Sequence, residues 1–146
     1  MMILAIESTC DETGASVVKK VGKGVEVLTE VRASSAEITA KYGGVVPEVV
    51  AREQVIAMIP VINETLAAAR FHLGGDLRPP SQEELRNVDA IAVTYGPGLL
   101  GSLLIGVETA KALALAWNKP LIKVNHLVAH VFANWILPVG RDTETQ

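Results

Sequence analysis

Hydrophobic and polar positions alternate along the chain in a way that predicts a series of short strands and longer helices. Met2 to Ile6 is an apolar run with nothing polar in it, the pattern of a strand buried on both faces. Ser8 to Gly14 is mostly small or polar and reads as a tight turn. Ala15 to Lys19 resumes strand character, Gly22-Lys23-Gly24 is a hairpin signal, and Val25 to Ala33 reads as a third strand. Ser34 to Tyr42 is a connection that ends at Gly43-Gly44. Pro47 then opens a long helix with Glu48 in its first turn, both favoured at a helix start. Val55, Ile59, Ile62 and Leu66 recur at helical spacing and are expected on its buried face. Pro60 falls inside this pattern and predicts a kink near Ile56.

His72 to Asn87 is a polar loop containing Gly74-Gly75 and Pro79-Pro80. Val88 to Thr94 is a fourth strand, and Tyr95-Gly96-Pro97-Gly98 a turn. Leu99 to Trp117 is a helix rich in Leu and Ala that stops at Asn118, with Pro120 just beyond. Leu121 to Val124 is a fifth, short strand. Asn125 to Leu137 is a further helix with Asn125 placed to cap it, and Arg141 to Gln146 is polar. The order β-β-β-α-β-α-β-α predicts an α/β fold with a mixed sheet, three antiparallel strands followed by strand–helix alternation. No internal repeat or low-complexity tract interrupts it.

Composition narrows the function classes. At 146 residues and 49% hydrophobic, the chain can bury a core in one domain, and with 4% aromatics that core must be aliphatic. A formal net charge of −3 leaves no electrostatic footprint for tight nucleic-acid binding by this segment alone. Cys10 is the single cysteine, which excludes an internal disulfide and makes a reducing, cytoplasmic setting the expectation. The N-terminal apolar run is too short for a signal peptide and lacks a basic flank. Glu108 and Lys111 argue against a membrane span at Leu99 to Trp117.

Four segments could carry chemistry. In His126-Leu127-Val128-Ala129-His130, helical spacing puts both imidazoles on one face with Cβ atoms about 5–6 Å apart. Two such rings can share a metal, or each can satisfy a local hydrogen bond. A zinc protease would need Glu directly after the first His, where Leu127 stands. Tyr95 to Ser102 joins an apolar strand to a helix through Gly96, Gly98 and Gly101. Glycines there let backbone approach an anionic ligand, or serve a tight turn and close packing. The segment matches neither the Walker pattern nor the dinucleotide fingerprint. Asp11 and Glu12 sit at the carboxyl end of the first strand, where open α/β sheets bind ligands. Cys10 beside them reads as a small buried residue, not a nucleophile. Tyr42-Gly43-Gly44-Val45-Val46-Pro47-Glu48 reads physically as a loop entering a helix.

Together, in this order and spacing, the four segments resemble the tRNA adenosine threonylcarbamoyltransferase (TsaD) family, once labelled O-sialoglycoprotein endopeptidase. Ile6 to Gly14 resembles its first-strand signature, Tyr42 to Glu48 a family-specific motif, Tyr95 to Gly101 its Gly-Pro-Gly turn, and Asn125 to His130 its metal-binding helix. The resemblance implies a ribonuclease-H-like, actin-like ATPase lobe over 1–146. It also implies transfer of a threonylcarbamoyl group from its adenylate to the adenosine beside the tRNA anticodon. It makes His126 and His130 metal ligands for one divalent ion, iron in preference to zinc. It places Asp11 and Glu12 at the acidic turn facing the active site, and Gly96, Gly98 and Gly101 on the nucleotide side, for ATP or threonylcarbamoyl-AMP. Implied partners are tRNA, an actin-like paralogue (TsaB-like) and a small ATPase (TsaE-like), with no membrane.

The same resemblance exposes departures. The family commonly carries His near the position of Thr39, and His after the Ala-Arg-Glu stretch, where Gln54 stands. The family chain is more than twice as long, and its second half supplies a Ser-Gly-Gly-His segment, most nucleotide contacts and an acidic third ligand. The expectation is therefore an N-terminal fragment without its C-terminal lobe, inactive alone. Two other classes are open. A non-catalytic actin-like paralogue serving as dimerisation partner would lack the paired His. An actin-like small-molecule kinase would phosphorylate its substrate without tRNA.

Overall fold

Five strands pair in the order β3-β2-β1-β4-β5. They are β1 Met2–Glu7, β2 Glu12–Val21, β3 Gly24–Ser34, β4 Ala90–Gly96 and β5 Leu121–Asn125. The first three form an antiparallel meander, and β4 and β5 add in parallel on the other side of β1. The helices are α1 Ala36–Ala40, α2 Pro47–His72, α3 Leu100–Trp117 and α4 His126–Phe132, the last running into a 3₁₀ turn at Ala133–Trp135. The computed structural model describes residues 1–22, 24–75 and 87–136. Lys23 of the predicted hairpin, residues 76–86 of the predicted loop, Leu137 and the polar stretch 141–146 lie outside the described residues.

The strand period divides the sheet into two faces. Leu4, Ile6, Ala15, Val17, Ile91 and Val93 point to one side, where they form a core with Met58, Val61 and Ile62 of α2 and Ala110 and Ala114 of α3. That face is aliphatic, as the scarcity of aromatics requires. Residues of the opposite parity, among them Ala5, Glu7, Ser16 and Thr94, line an open cavity of about 410 Å³ on the other side.

Several boundaries differ from the sequence reading for identifiable reasons. Strand β2 begins at Glu12, not Ala15, because Glu12 to Gly14 find partners in Ser34 to Arg32. This shortens the turn after β1. The connection from Ser34 contains the short helix α1, tied back when Ser35 Oγ donates to Asp11 O at 2.7 Å. Helix α4 ends at Phe132, short of the expected Leu137.

Helix α2 begins at Pro47 as expected and runs through Pro60; Ile62 and Leu66 are buried as expected, but Val55 and Ile59 are not. Val55 and Ile59 are 63% and 50% exposed, while Val50, Gln54, Met58, Val61, Ile62, Thr65, Leu66 and Ala69 are buried. Apolar residues cover more than one side of this helix, so periodicity alone does not choose. Two polar residues make the chosen face compatible with the sheet backbone. Thr65 Oγ1 donates to Val61 O and Ala15 O, and Gln54 reaches the turn after β1. Buried polar groups fit only where such acceptors exist.

Among the described residues, α3 is the one helix long and apolar enough to cross a membrane. It packs instead against β4 and α2, with Ser102, Gly106, Ala110, Ala114 and Trp117 buried. Asn118 closes it in the left-handed conformation, at φ 52°.

Candidate functional site

The carboxyl ends of β1 and β4 lie side by side because the two strands pair in parallel, Ile6 opposite Val93. Each chain exit makes a turn there, and the two turns touch. Leu99 N–H donates to Thr9 O at 2.8 Å, so the helix α3 entry is hydrogen-bonded to the turn after β1. Ser102 Oγ donates to Cys10 O at 3.1 Å, and Ser8 Oγ donates to Ser102 O at 2.8 Å. Gln54 Nε2 donates to both Cys10 O and Glu12 O at 3.0 Å. Donors from α2 and α3 thus hold the Ser8-to-Glu12 turn in place. Gln54 itself is 1% exposed, and its Oε1 is buried with no partner among the described residues.

Three glycines singled out from sequence have distinct surroundings. A Cβ on Gly98 would lie 2.7 Å from Thr9 O and 3.0 Å from Thr9 Cβ. One on Gly101 would lie 3.3 Å from Ala51 Cβ, on α2. Gly96 adopts φ +151°, a backbone conformation disfavoured with a side chain, and precedes a cis bond to Pro97. Gly98 and Gly101 therefore meet the protein's own atoms: the first permits turn-to-turn contact and the second helix-to-helix contact. In the Tyr42 to Glu48 segment, Gly43 and Gly44 take φ +78° and +158° with open space around them, and Tyr42 and Val45 are exposed.

The two histidines converge. His126 Nε2 and His130 Nε2 are 3.0 Å apart, with ring centroids at 4.5 Å and planes nearly perpendicular. Asn125 creates this by capping α4: its Oδ1 accepts from Leu127 N–H at 3.0 Å and Val128 N–H at 3.2 Å. Two nitrogens at that separation suit one ion bound by each at about 2.0–2.1 Å. No group of three or more His, Cys, Asp or Glu able to hold a metal occurs among the described residues. The pair fits as part of a ligand set.

The surroundings of His126 were not assigned a role from sequence. Its Nδ1 lies 3.6 Å from Glu7 Oε2 and 3.4 Å from Thr9 Oγ1. Glu7 Oε1 accepts from Thr9 N–H at 2.6 Å, and Glu7 Oε2 accepts a short bond from Thr94 Oγ1. The signal available in the sequence was the position of Glu7, the last residue of an otherwise apolar strand.

Glu12 lines the same open cavity as Glu7, Arg32 and Thr94, and its carboxylate lies 3.6 Å from Arg32 Nη1. Asp11 occupies the turn. Its carbonyl accepts from Ser35 N–H and Oγ, and its carboxylate acts on Cys10. Cys10 is exposed, not buried as the sequence reading expects, because it sits on the outer side of the turn. The burial that remains, then the hydrogen bond and negative charge of Asp11, push its thiol above the ordinary range. That agrees with a residue not poised as a nucleophile. Thr39 and Gln54 are both buried and hydrogen-bonded. Thr39 Oγ1 donates within α1 to Ser35 O and Ala36 O.

Comparison with known proteins gives the family and the fold. The chain is 46% identical over 142 residues to the tRNA N6-adenosine threonylcarbamoyltransferase of Thermomicrobium roseum, covering 97% of this chain and 35% of that protein. It is 46% identical to the protein of the same name in Dehalococcoides mccartyi, over 93% of this chain and 37% of that one. The Clostridium botulinum protein of that name is 48% identical over 92% of this chain. The chain thus spans about a third of the length of these curated relatives. Among solved structures, YeaZ from Pseudomonas aeruginosa superposes with a TM-score of 0.53 at 18% identity, over 86% of this chain and 45% of YeaZ. T. thermophilus RuvC in complex with a Holliday junction gives 0.50 at 14% identity, over 91% of this chain and 72% of RuvC. These likenesses establish the fold, that of the actin-like and ribonuclease-H-like proteins. The family model for TsaD, tRNA N6-adenosine threonylcarbamoyltransferase, matches residues 26–141, and the chain belongs to that family.

Proposed function

We propose that this chain forms the N-terminal lobe of a tRNA-modifying acyltransferase and contributes the metal-binding helix and acidic turn of its active site. The reaction is transfer of the threonylcarbamoyl group from threonylcarbamoyl-AMP to the N6 amine of the adenosine beside the anticodon. Family membership supports the reaction class. The observation that carries the site is the 3.0 Å approach of the His126 and His130 Nε2 atoms beside the Glu7 carboxylate.

A divalent ion held there supplies Lewis acidity toward carbamoyl or phosphate oxygens. His126 and His130 would hold it. The resemblance favours iron over zinc, and two imidazoles accept either. Glu12, half-exposed on the cavity, would take a proton from the attacking amine, with Asp11 the alternative. The Gly96-to-Gly101 turn shapes the nucleotide side of the cleft by fixing the backbone of Thr9, whatever further groups touch the nucleotide. With a net charge of −3, the basic surface for tRNA belongs to the remaining length of the enzyme or to partners such as a TsaB-like paralogue and a TsaE-like ATPase. A cytoplasmic setting follows from that substrate.

The test is nucleoside analysis of tRNA from cells depleted of this chain. Threonylcarbamoyladenosine should disappear, return with the wild-type enzyme that contains this chain, and fail to return when that enzyme carries His126→Ala plus His130→Ala. An unchanged nucleoside level after depletion would remove the proposed reaction. ATP-dependent phosphorylation of a small molecule without tRNA would point to a kinase instead.

A further inference from the structure

We propose that Glu7 is a positioning residue that holds His126 in its Nδ1–H tautomer, so that Nε2 offers its lone pair toward His130. The metal clause of this inference rests on the site proposed above, whereas the tautomer clause stands on geometry in the metal-free protein. The two ring nitrogens of His126 face different groups. Nδ1 faces Glu7 Oε2 at 3.6 Å and Thr9 Oγ1 at 3.4 Å, and Nε2 faces His130 Nε2 at 3.0 Å. The Glu7 carboxylate already accepts from Thr9 N–H and Thr94 Oγ1, and the ring nitrogen it faces is the one positioned to donate to it. Thr9 Oγ1 can accept as well and does not oppose this. A neutral imidazole has a single N–H, and placing it on Nδ1 leaves Nε2 bare.

Glu7 cannot easily swing away to relieve the demand. Thr9 N–H holds Oε1 at 2.6 Å, and Thr94 Oγ1 donates to Oε2. One anchor is main chain just past β1, and the other is a side chain on the adjacent strand β4. The carboxylate is thus fixed by the parallel pairing of the two strands, while α4 brings the ring to it. Closing 3.6 Å to a hydrogen bond needs a ring movement of roughly 0.5 Å. A carboxylate behind a ligating imidazole fixes its orientation and raises its basicity, and loss of such a partner typically costs about 10–100-fold in metal affinity.

Two measurements test this on the intact protein. A long-range proton–nitrogen correlation spectrum reads the His126 tautomer without any metal. Zinc titration against a competing chelator reads affinity. Wild type should show Nδ1–H. Glu7→Gln keeps the acceptor for Thr9 N–H but turns an amide NH₂ toward Nδ1. It should switch His126 to Nε2–H and weaken zinc binding about 10–100-fold. Glu7→Asp, which retains the charge, should keep Nδ1–H. If Glu7→Gln fails to fold, Thr94→Val frees Oε2 from one anchor and should mix the tautomers and weaken zinc binding. A wild-type Nε2–H tautomer, or a tautomer and affinity unchanged in Glu7→Gln or in Thr94→Val, would overturn the role of Glu7. Zinc binding unchanged by His126→Ala plus His130→Ala would overturn the metal site instead, with the spectrum still deciding Glu7.

Discussion

Replacing Gly98, Gly101 and Gly14 one at a time by Ala separates glycines kept for packing from glycines kept for a ligand. At Gly98 the new methyl would sit 2.7 Å from a backbone oxygen, Thr9 O, and 3.1 Å from Thr9 Cα. Neither atom is the tip of a flexible side chain, so the Thr9 turn must move by several tenths of an ångström. That movement stretches the Leu99 N–H to Thr9 O bond, now 2.8 Å, and strains the donors that hold the turn. Overpacking of this kind costs about 1–3 kcal/mol, and the backbone partner puts Gly98→Ala near the upper end. For a chain of this length about 3 kcal/mol lowers Tm by roughly 10 °C. At Gly101 the contact is a methyl, Ala51 Cβ, at 3.3 Å. There a small shift of α2 is offset by the roughly 0.4–1 kcal/mol that Ala gains by restricting the unfolded chain, and the net effect should be near zero. Gly14 would meet only ordinary contacts, Arg32 Cγ at 3.7 Å and Glu7 Cβ at 3.8 Å, so its Ala variant should match or exceed wild type. Urea melts of ligand-free protein, followed by circular dichroism, give the order Gly98→Ala far below Gly101→Ala, with Gly14→Ala highest. A Gly98→Ala midpoint within about 0.5 kcal/mol of wild type would refute the packing account and leave close approach of a nucleotide as the reason for the glycine.

Gln54→Leu keeps the volume but strips donors from Cys10 O and Glu12 O, and should cost about 2 kcal/mol in a urea melt; a loss under about 0.5 kcal/mol would show that the amide is not what ties α2 to this turn. Asn125→Ala removes the cap of α4 and should destabilise that helix by about 1 kcal/mol, seen as roughly fivefold faster hydrogen exchange at Leu127 and Val128. Asp11→Asn removes a charge and an acceptor that favour the protonated Cys10 thiol. The thiol should then ionise at lower pH, and iodoacetamide labelling at pH 8 should accelerate; an unchanged rate would mean that Asp11 does not control it.

What the sequence revealed, and what it concealed, follows from how far apart the determining residues are. The His126/His130 pair was legible because an α-helix alone sets the distance between positions four apart, and Asn125 next to it supplied the cap. Met2 to Ile6 was legible because an uninterrupted apolar run has few other uses. Half of the α2 face was misread, with Ile62 and Leu66 buried as expected, because Val55 and Ile59 are as apolar as Met58 and Val61. The choice between them was made by acceptors on β2 and the β1 turn, which lie elsewhere in the sequence. Gly98 was legible as special but not in its purpose, since a missing Cβ serves a ligand and a neighbouring turn equally. Glu7 stayed hidden for the strongest version of the same reason. Its anchor Thr94 lies 87 positions away, and the Thr9 contact to His126 spans 117. Only the parallel pairing of β1 with β4, followed by the return of the chain through β5 into α4, brings them together. Helical spacing could therefore name two candidate ligands, whereas the carboxylate that would decide which nitrogen His126 presents is a property of the sheet.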